Sequence, residues 1–391
     1  MTWTTDAWVL HAGYESPPAA TVGEELRREP FELADLAPGE ALVEPVLGSW
    51  EANLEHALRR SPIDVCSTRG ERVVLLGNFG VVQVVRVEPG GPDGLAGQEV
   101  REGDLCLLLA FGPTDRHGYA ELVYAYDAPN TFGLLARRTK IPARLLLPLP
   151  AATRHSLAQW AAYGRYFTAW DNWRCAVGCW RVQVPDDDPA DHLVIGWGGG
   201  VSLALLTLAR RQGFRVAMTA SSDTRLALLD RLGITPIDRR EFPGLASAGP
   251  GGADRDQARR HRQSLADLRR RVDEPSDGRG VSVFADNIGQ PLFEATRAVL
   301  ARQGVITTCG WKAGMRLNYL RGAECIDRHL FVHTHVWRYQ DSARIRDDIE
   351  ETGWLPDEAD TVVYGFDEVP ELATAYSDGR VDSYFPLYRV A

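Results

Sequence analysis

The stretch that most restricts what this chain can become is residues 192–225, HLVIGWGGGVSLALLTLARRQGFRVAMTASSDTR. A short apolar run, Leu193-Val194-Ile195, meets glycines at 196, 198, 199 and 200. Apolar positions at helical spacing follow through Leu203, Leu206 and Ala209, and Gly213 closes them. A second apolar run, 216–220, then ends in Ser221-Ser222. Strand, tight turn, helix and strand in that order form a dinucleotide-binding unit. The glycines matter because a pyrophosphate sits on a helix N-terminus only where backbone amides approach it without intervening Cβ atoms. Gly196, Gly199, Gly200 and Val201 are therefore the expected phosphate-contacting positions. A strict G-x-G-x-x-G from Gly196 puts Val201 at the last glycine, whereas G-x-x-G-x-x-small fits Gly196, Gly199 and Ser202. Trp197, inside this turn, either packs outward or narrows the site.

The end of the second strand bears on which dinucleotide is taken. NAD usually needs a carboxylate there to accept from the ribose 2′-OH, whereas NADP needs hydroxyls or cations for its 2′-phosphate. Thr219, Ser221, Ser222 and Arg225 occupy the region, and the one acid, Asp223, falls where the next helix begins and reads as its N-cap. NADPH is the expected cofactor, with Ser221, Ser222 and Arg225 on its 2′-phosphate.

At 391 residues the chain suits two domains rather than one core. The first residues, MTWTTDAWVLHAGYE, have neither a basic flank nor an unbroken apolar core, and no window reaches the apolar length of a membrane span. A cytoplasmic protein with no membrane partner is expected. The net charge of −10 argues against nucleic acid. The basic segment 255–271 has Leu265, Leu268 and Val272 at helical spacing, so it reads as a solvated amphipathic helix. Docking of coenzyme A phosphates or of a carrier protein is its weaker reading. Six cysteines are present, but only Cys175 and Cys179 lie close together, which makes no four-thiolate metal site.

Short strand patterns broken by turns dominate up to about residue 150: 41–46, 73–76, 81–87 and 104–110, with a loop at 89–94. This predicts an irregular barrel. Helical patterning covers 155–173, and after Arg225 comes a helix at 226–232, a strand at 233–237 and a loop at 243–252. A strand at 280–286, a helix at 292–302 and a strand at 304–310 continue the alternation. The fold class is therefore α/β, with a doubly wound parallel sheet. In such sheets the ligand lies beyond the carboxyl ends of the strands, so Asn287, Cys309 and Gly310 are expected to border a nicotinamide. The segment from about 329 onward returns to the first domain, giving boundaries of 1–155 with 329–391, and 156–328.

This order of barrel, inserted nucleotide domain and return resembles the medium-chain dehydrogenase/reductase superfamily. The motifs GYAELV (118–123), TAW (168–170), Gly196 to Ser202, ASSD (220–223) and ADNIG (285–289) carry the resemblance across nearly the whole chain. It implies a GroES-like catalytic barrel beside a Rossmann-type domain and adds Thr168 to the cofactor contacts. Zinc-dependent members carry a Gly-His-Glu segment whose histidine binds metal; here the stretch is Gly77-Asn78-Phe79. An Asn amide is a poor zinc ligand, so no catalytic metal is expected. Within the zinc-free branch the chain is most similar to crotonyl-CoA carboxylase/reductases. The segment GITPIDRREF (233–242), with its following loop and charged helix, resembles a family insertion. Asn318-Tyr319, Arg328, the 332–335 segment VHTH and Arg338-Tyr339 resemble its C-terminal part. In that family a histidine, an asparagine and a Phe-Glu pair hold CO2 near the substrate. By register His335 matches the histidine and Asn53 the asparagine, while Gly112-Pro113 falls where the Phe-Glu pair belongs.

The resemblance implies conjugate reduction of an enoyl thioester on coenzyme A or a carrier protein, with carboxylation lost, and a homo-oligomer. Hydride addition to Cβ leaves an enolate whose charge grows on the thioester oxygen, where a fixed neutral donor contributes roughly 3 kcal/mol. His335 then reads as a proton donor or orienter at Cα, with His333 as its alternate, and a structural histidine as the plainer account. For Asn53 the plainer account is a cap or turn residue. Tyr163, Tyr166 and Tyr319 read as proton donors or as buried aromatics. Two rivals stand beside this reading: an NADP-dependent carbonyl reductase or alcohol dehydrogenase, and a nucleotide-binding homologue without turnover.

Overall fold

The computed structural model describes residues 2–13, 20–90, 99–110, 112–246, 254–314 and 316–391. The loops expected at 89–94 and 243–252 lie partly outside them. The chain divides into two compact units, 1–167 with 336–391, and 168–335.

In the first unit the apolar runs become strands β1 (Thr2–His11), β2 (Leu26–Ala34), β3 (Glu40–Ser49), β4 (Val73–Val74), β5 (Gly80–Val87), β6 (Leu105–Leu108), β7 (Thr139–Pro142) and β8 (Leu146–Pro148). A three-stranded sheet runs β2-β1-β4. Its β1 alternates buried and open positions, so one face covers a core and the other meets solvent. The larger sheet joins β3, β5, β6 and β8 to two strands from the returning segment, β15 (Thr361–Tyr364) and β16 (Phe385–Arg389), with β7 paired on β3. Tyr388 of β16 stands opposite Gly48 of β3. A Cβ at Gly48 would lie 1.9 Å from the Tyr388 ring, and one at Gly77 would lie 2.7 Å from its hydroxyl. Two positions are thus kept bare to seat one phenol.

The second unit carries β9 (Leu193–Trp197), β10 (Arg215–Ala220), β11 (Thr235–Asp238), β12 (Val281–Asp286), β13 (Leu300–Thr308) and β14 (Leu330–His333). They form one parallel sheet ordered β11-β10-β9-β12-β13-β14. Counted from the first strand of the unit, this is the 3-2-1-4-5-6 order of dinucleotide-binding sheets, whose crevice lies where the order reverses, between β9 and β12. Every residue of β9 and β12 is buried, as strands covered on both faces must be. The charged helix Arg255–Ser276 lays Ser264, Leu268 and Val272 inward, against a core that includes Ile195, Phe242 and Phe284. This bears out its amphipathic reading.

Three expectations are corrected. The helix predicted at 292–302 ends at Val299, because Leu300 is extended and pairs with Val281, so β13 starts earlier than its glycine suggested. Ala301, Arg302 and Gln303 suit a helix, but they fall in the register shift between the paired Leu300 and Val305, with Gln303 at φ +61°. The single helix expected over 155–173 is two, Leu157–Ala161 and Tyr163–Gln183, the first opened by a Ser156/Gln159 capping box. Asp223 does not cap its helix: Ser222 does, its hydroxyl accepting from the Arg225 amide at 3.4 Å, and Asp223 is the first helical residue.

Candidate active site

The geometry begins with the turn after β9. Gly198 has φ +129°, and a Cβ there would stand 3.0 Å from both Asn287 Cβ and Ser202 Oγ. Gly199 is the opposite case, an N-cap residue whose Cβ position has nothing within 4 Å. The helix Gly200–Arg211 starts immediately after it, so its first amides, including those of Gly200 and Val201, have no partner within the helix. Gly196 lies within β9, where a Cβ would come 3.3 Å from Leu206. These features fit a diphosphate on the helix N-terminus. Trp197 turns away from the turn: it is buried, packs 4.6 Å from Phe284 between ring centroids, and belongs to the sheet core.

Ser202, where a third glycine would stand, is fully buried and serves as a connector. Its hydroxyl donates to the Trp197 carbonyl at 3.1 Å and accepts from Asn287 Nδ2 at 2.9 Å. Asn287 Oδ1 in turn accepts from the Cys309 amide at 3.0 Å and the Thr308 hydroxyl at 3.3 Å. One side chain therefore joins the glycine turn after β9 to the end of β13 across the crevice. Gly310 follows, its amide donating to Thr308 Oγ1 at 3.2 Å. Asp286, just before Asn287, is buried, and burial raises its carboxyl above the ordinary range. Bonds from the amides of Gly289 and Ile288 and from the Thr296 hydroxyl counter that rise.

His335 comes to the same strand end. It is exposed, its Nδ1 is 3.4 Å from the Cys309 carbonyl, and its ring lies 5.2 Å from Trp311. A carbonyl only accepts, so this contact puts a proton on Nδ1 and leaves Nε2 for exchange. Asn172 was not singled out from sequence. It is buried in the helix Tyr163–Gln183, and its amide donates to the Thr308 carbonyl at 3.2 Å and Thr334 Oγ1 at 2.8 Å. Thr168 sits one helical turn before Asn172, on the same face, and so toward the end of β13.

At the far strand ends, Ser221 and Ser222 follow β10 and Arg225 lies in the next helix. Arg239, also not singled out, extends from the end of β11 and places Nη2 3.4 Å from Ser221 Oγ. It escapes a sequence reading because only parallel pairing of β11 with β10 brings residues 239 and 221 together.

Asn53 belongs to the other unit. It is half-buried in the first turn of the helix Ala52–Leu58, after Glu51 at the cap position, so it is not itself the cap. Beside it, buried Arg165 donates to Ser49 Oγ at 2.6 Å and stands 3.4 Å from Glu51. Asn78 is 1% exposed and neither of its amide atoms has a hydrogen-bond partner among the described residues. The Tyr163 hydroxyl is occupied by the Ser342 carbonyl at 2.7 Å, Tyr166 stacks on Phe385, and Tyr319 stacks exposed on Phe331. Gly112-Pro113 pairs through its backbone with residues 121–122, with bonds of 2.8 Å. Among the described residues no group of three His, Cys, Asp or Glu side chains is placed to hold a metal ion. Nor is any helix there long and apolar enough to cross a membrane.

No protein-family model matches the chain, and no curated protein matches it. Solved structures do. A crotonyl-CoA carboxylase/reductase, AntE, in complex with NADP superimposes with a TM-score of 0.78 at 19% identity, over 99% of this chain and 94% of that one. The 2-octenoyl-CoA carboxylase reductase CinF, from a Streptomyces species and in complex with NADP and 2-octenoyl-CoA, gives 0.77 at 20% identity, over 99% and 87%. An alcohol dehydrogenase from Thermotoga maritima gives 0.72 at 17%, over 99% of both chains. The chain therefore has, from end to end, the two-part fold shared by crotonyl-CoA carboxylase/reductases and alcohol dehydrogenases, the fold expected of a medium-chain dehydrogenase/reductase.

Proposed function

We propose that this protein is an NADPH-dependent reductase of an α,β-unsaturated thioester carried on coenzyme A or a carrier protein, working without a catalytic metal and without carboxylation. The observation that carries this reading is the likeness, over 99% of the chain, to carboxylase reductases solved with NADP and, in one case, with an enoyl-CoA. The intact glycine turn and crevice support it.

The amides at the start of Gly200–Arg211 bind the diphosphate, and the bare Gly199 lets it approach. Ser221, Ser222, Arg225 and Arg239 surround the 2′-phosphate, offering hydroxyls and guanidinium groups rather than a carboxylate. Asn287, Cys309 and Gly310 border the ring that carries the reducing equivalents, with Thr168 beside them. When bound, NADPH supplies a hydride. His335 hydrogen-bonds the Cys309 carbonyl through Nδ1; as imidazolium it gives the Nε2 proton to Cα of the enolate, is left neutral with its proton on Nδ1, and is reprotonated from solvent, while Asn53 orients the acyl group. Asn78 in place of a metal-ligating histidine, and Gly112-Pro113 in place of a Phe-Glu pair, support the zinc-free and non-carboxylating parts. The expected homo-oligomer and cytoplasmic location belong to the same proposal.

NADPH absorbance followed with a panel of enoyl-CoA thioesters and aldehydes, with and without bicarbonate, tests it, with products weighed by mass spectrometry. Oxidation only with enoyl thioesters and no gain of a carboxyl mass is expected. Turnover confined to aldehydes overturns it in favour of a carbonyl reductase.

A further inference from the structure

The acid just after β10, Asp223, is exposed but carries an ion pair of its own. Asp238 closes β11 and grips Arg240: Nε lies 2.9 Å from both carboxylate oxygens, Nη2 lies 2.7 Å from one, and the Arg240 amide donates at 2.8 Å. That grip holds the guanidinium in one orientation, and the Arg240 hydrogen bonds keep the Asp238 carboxyl below its ordinary range. From there Nη2 reaches Asp223 Oδ1 at 2.6 Å. Asp223 is the carboxylate that would otherwise accept from a ribose 2′-OH or repel a 2′-phosphate. Next to it, Arg239 Nη2 is 3.4 Å from Ser221 Oγ, and Ser222 accepts from the Arg225 amide, which leaves its hydroxyl proton to donate. Arg240 is thus shared between Asp238 and Asp223, and with Arg239 these four side chains carry no net charge at the end of β10.

We propose that Arg239 and Arg240 together set a preference for 2′-phosphorylated dinucleotides, Arg240 by masking Asp223 and Arg239 by contacting the phosphate. This rests on the NADPH reading above and assigns its specificity to residues beyond the nucleotide-binding motif. The masking is a matter of sign as much as strength. Exposed ion pairs contribute little to stability, but removing Arg240 takes the cluster of Arg239, Arg240, Asp223 and Asp238 from no net charge to one negative charge beside the place where the 2′-phosphate must sit.

Equilibrium binding of NADPH and NADH, with 2′,5′-ADP and AMP as adenosine-half probes, tests the assignment without any need for turnover. Arg239→Ala is expected to weaken NADPH and 2′,5′-ADP by about tenfold while leaving NADH and AMP unchanged. Arg240→Ala is expected to weaken NADPH and to tighten NADH, because Asp223 is released. Adding Asp223→Asn to that variant is expected to abolish the gain for NADH. Asp223→Asn alone, with the mask intact, leaves NADH binding as it was. Wild-type protein that prefers NADH defeats the NADPH reading and this proposal together. Wild-type protein that prefers NADPH, with Arg240→Ala leaving the ratio of the two affinities unmoved, defeats the proposal alone.

Discussion

The neighbouring glycines 198 and 199 separate two requirements of the phosphate turn. Gly198 combines φ +129° with contacts at 3.0 Å, so any side chain there strains the backbone and pushes on Asn287 and Ser202. Gly199 has neither restriction on its Cβ, and its bareness serves the ligand alone. Gly199→Ala is therefore expected to melt at the wild-type temperature while binding NADPH about tenfold more weakly. Gly198→Ala is expected to lose both stability and binding. A Gly199→Ala protein that binds NADPH with wild-type affinity would remove the diphosphate from this turn. Ser202 shows why a motif spacing is only a beginning. Its hydroxyl reaches Asn287, so a serine in place of the third glycine adds a tie between β9 and β12.

Among the elements, the Glu350 carboxylate ties the helix Ser342–Thr352 to the segment that leads into Leu157–Ala161, beside bonds from Arg154 Nη2 to the carbonyls of residues 350 and 351. Glu350 accepts from Thr153 Oγ1 at 2.6 Å and from the Arg154 amide at 3.1 Å. Burial raises its carboxyl, but those two bonds, with His155 and Arg154 close by, together hold it below its ordinary value of 4.5. A carboxyl depressed in the folded state contributes stability above its unfolded value, and loses it as pH falls through the folded one. Urea midpoints of the wild type should therefore fall more steeply between about pH 5 and pH 3 than those of Glu350→Gln; parallel curves would show that Glu350 has no such role. The same scale explains what was legible in the sequence. Apolar runs such as Leu193-Val194-Ile195 name their strands because a parallel sheet covered on both faces needs unbroken apolar residues. The end of the 293–299 helix was not legible, because it is decided by pairing of Leu300 with Val281. Asn287, Cys309 and Gly310 could be placed from strand order alone. Asn172 and Arg239 could not, since each acts on residues 136 and 18 positions away that only the folded sheet brings near.

For the molecule as a whole, thiol reactivity offers a map of both units at once. Burial pushes the Cys106 thiol up to about 12 and raises those of Cys66 and Cys175. Cys325 is exposed. Alkylation of the native protein near pH 8, read by peptide mass spectrometry, should modify Cys325 first and spare Cys106 until the protein unfolds. Cys309, half-buried where the ring of the cofactor is proposed to lie, should be slowed by NADPH while Cys325 is not. Equal rates at Cys309 with and without NADPH would contradict that placement.

The phenol of Tyr388, resting on Gly48 and Gly77, also limits how this barrel can change over generations. With a Cβ at Gly48 only 1.9 Å from the ring, alanine at 48 is incompatible with tyrosine at 388 but becomes admissible once that ring is gone. The order in which substitutions arrive then decides which survive. A lineage must shrink residue 388 before it can enlarge residue 48, and the two positions are inherited as one choice.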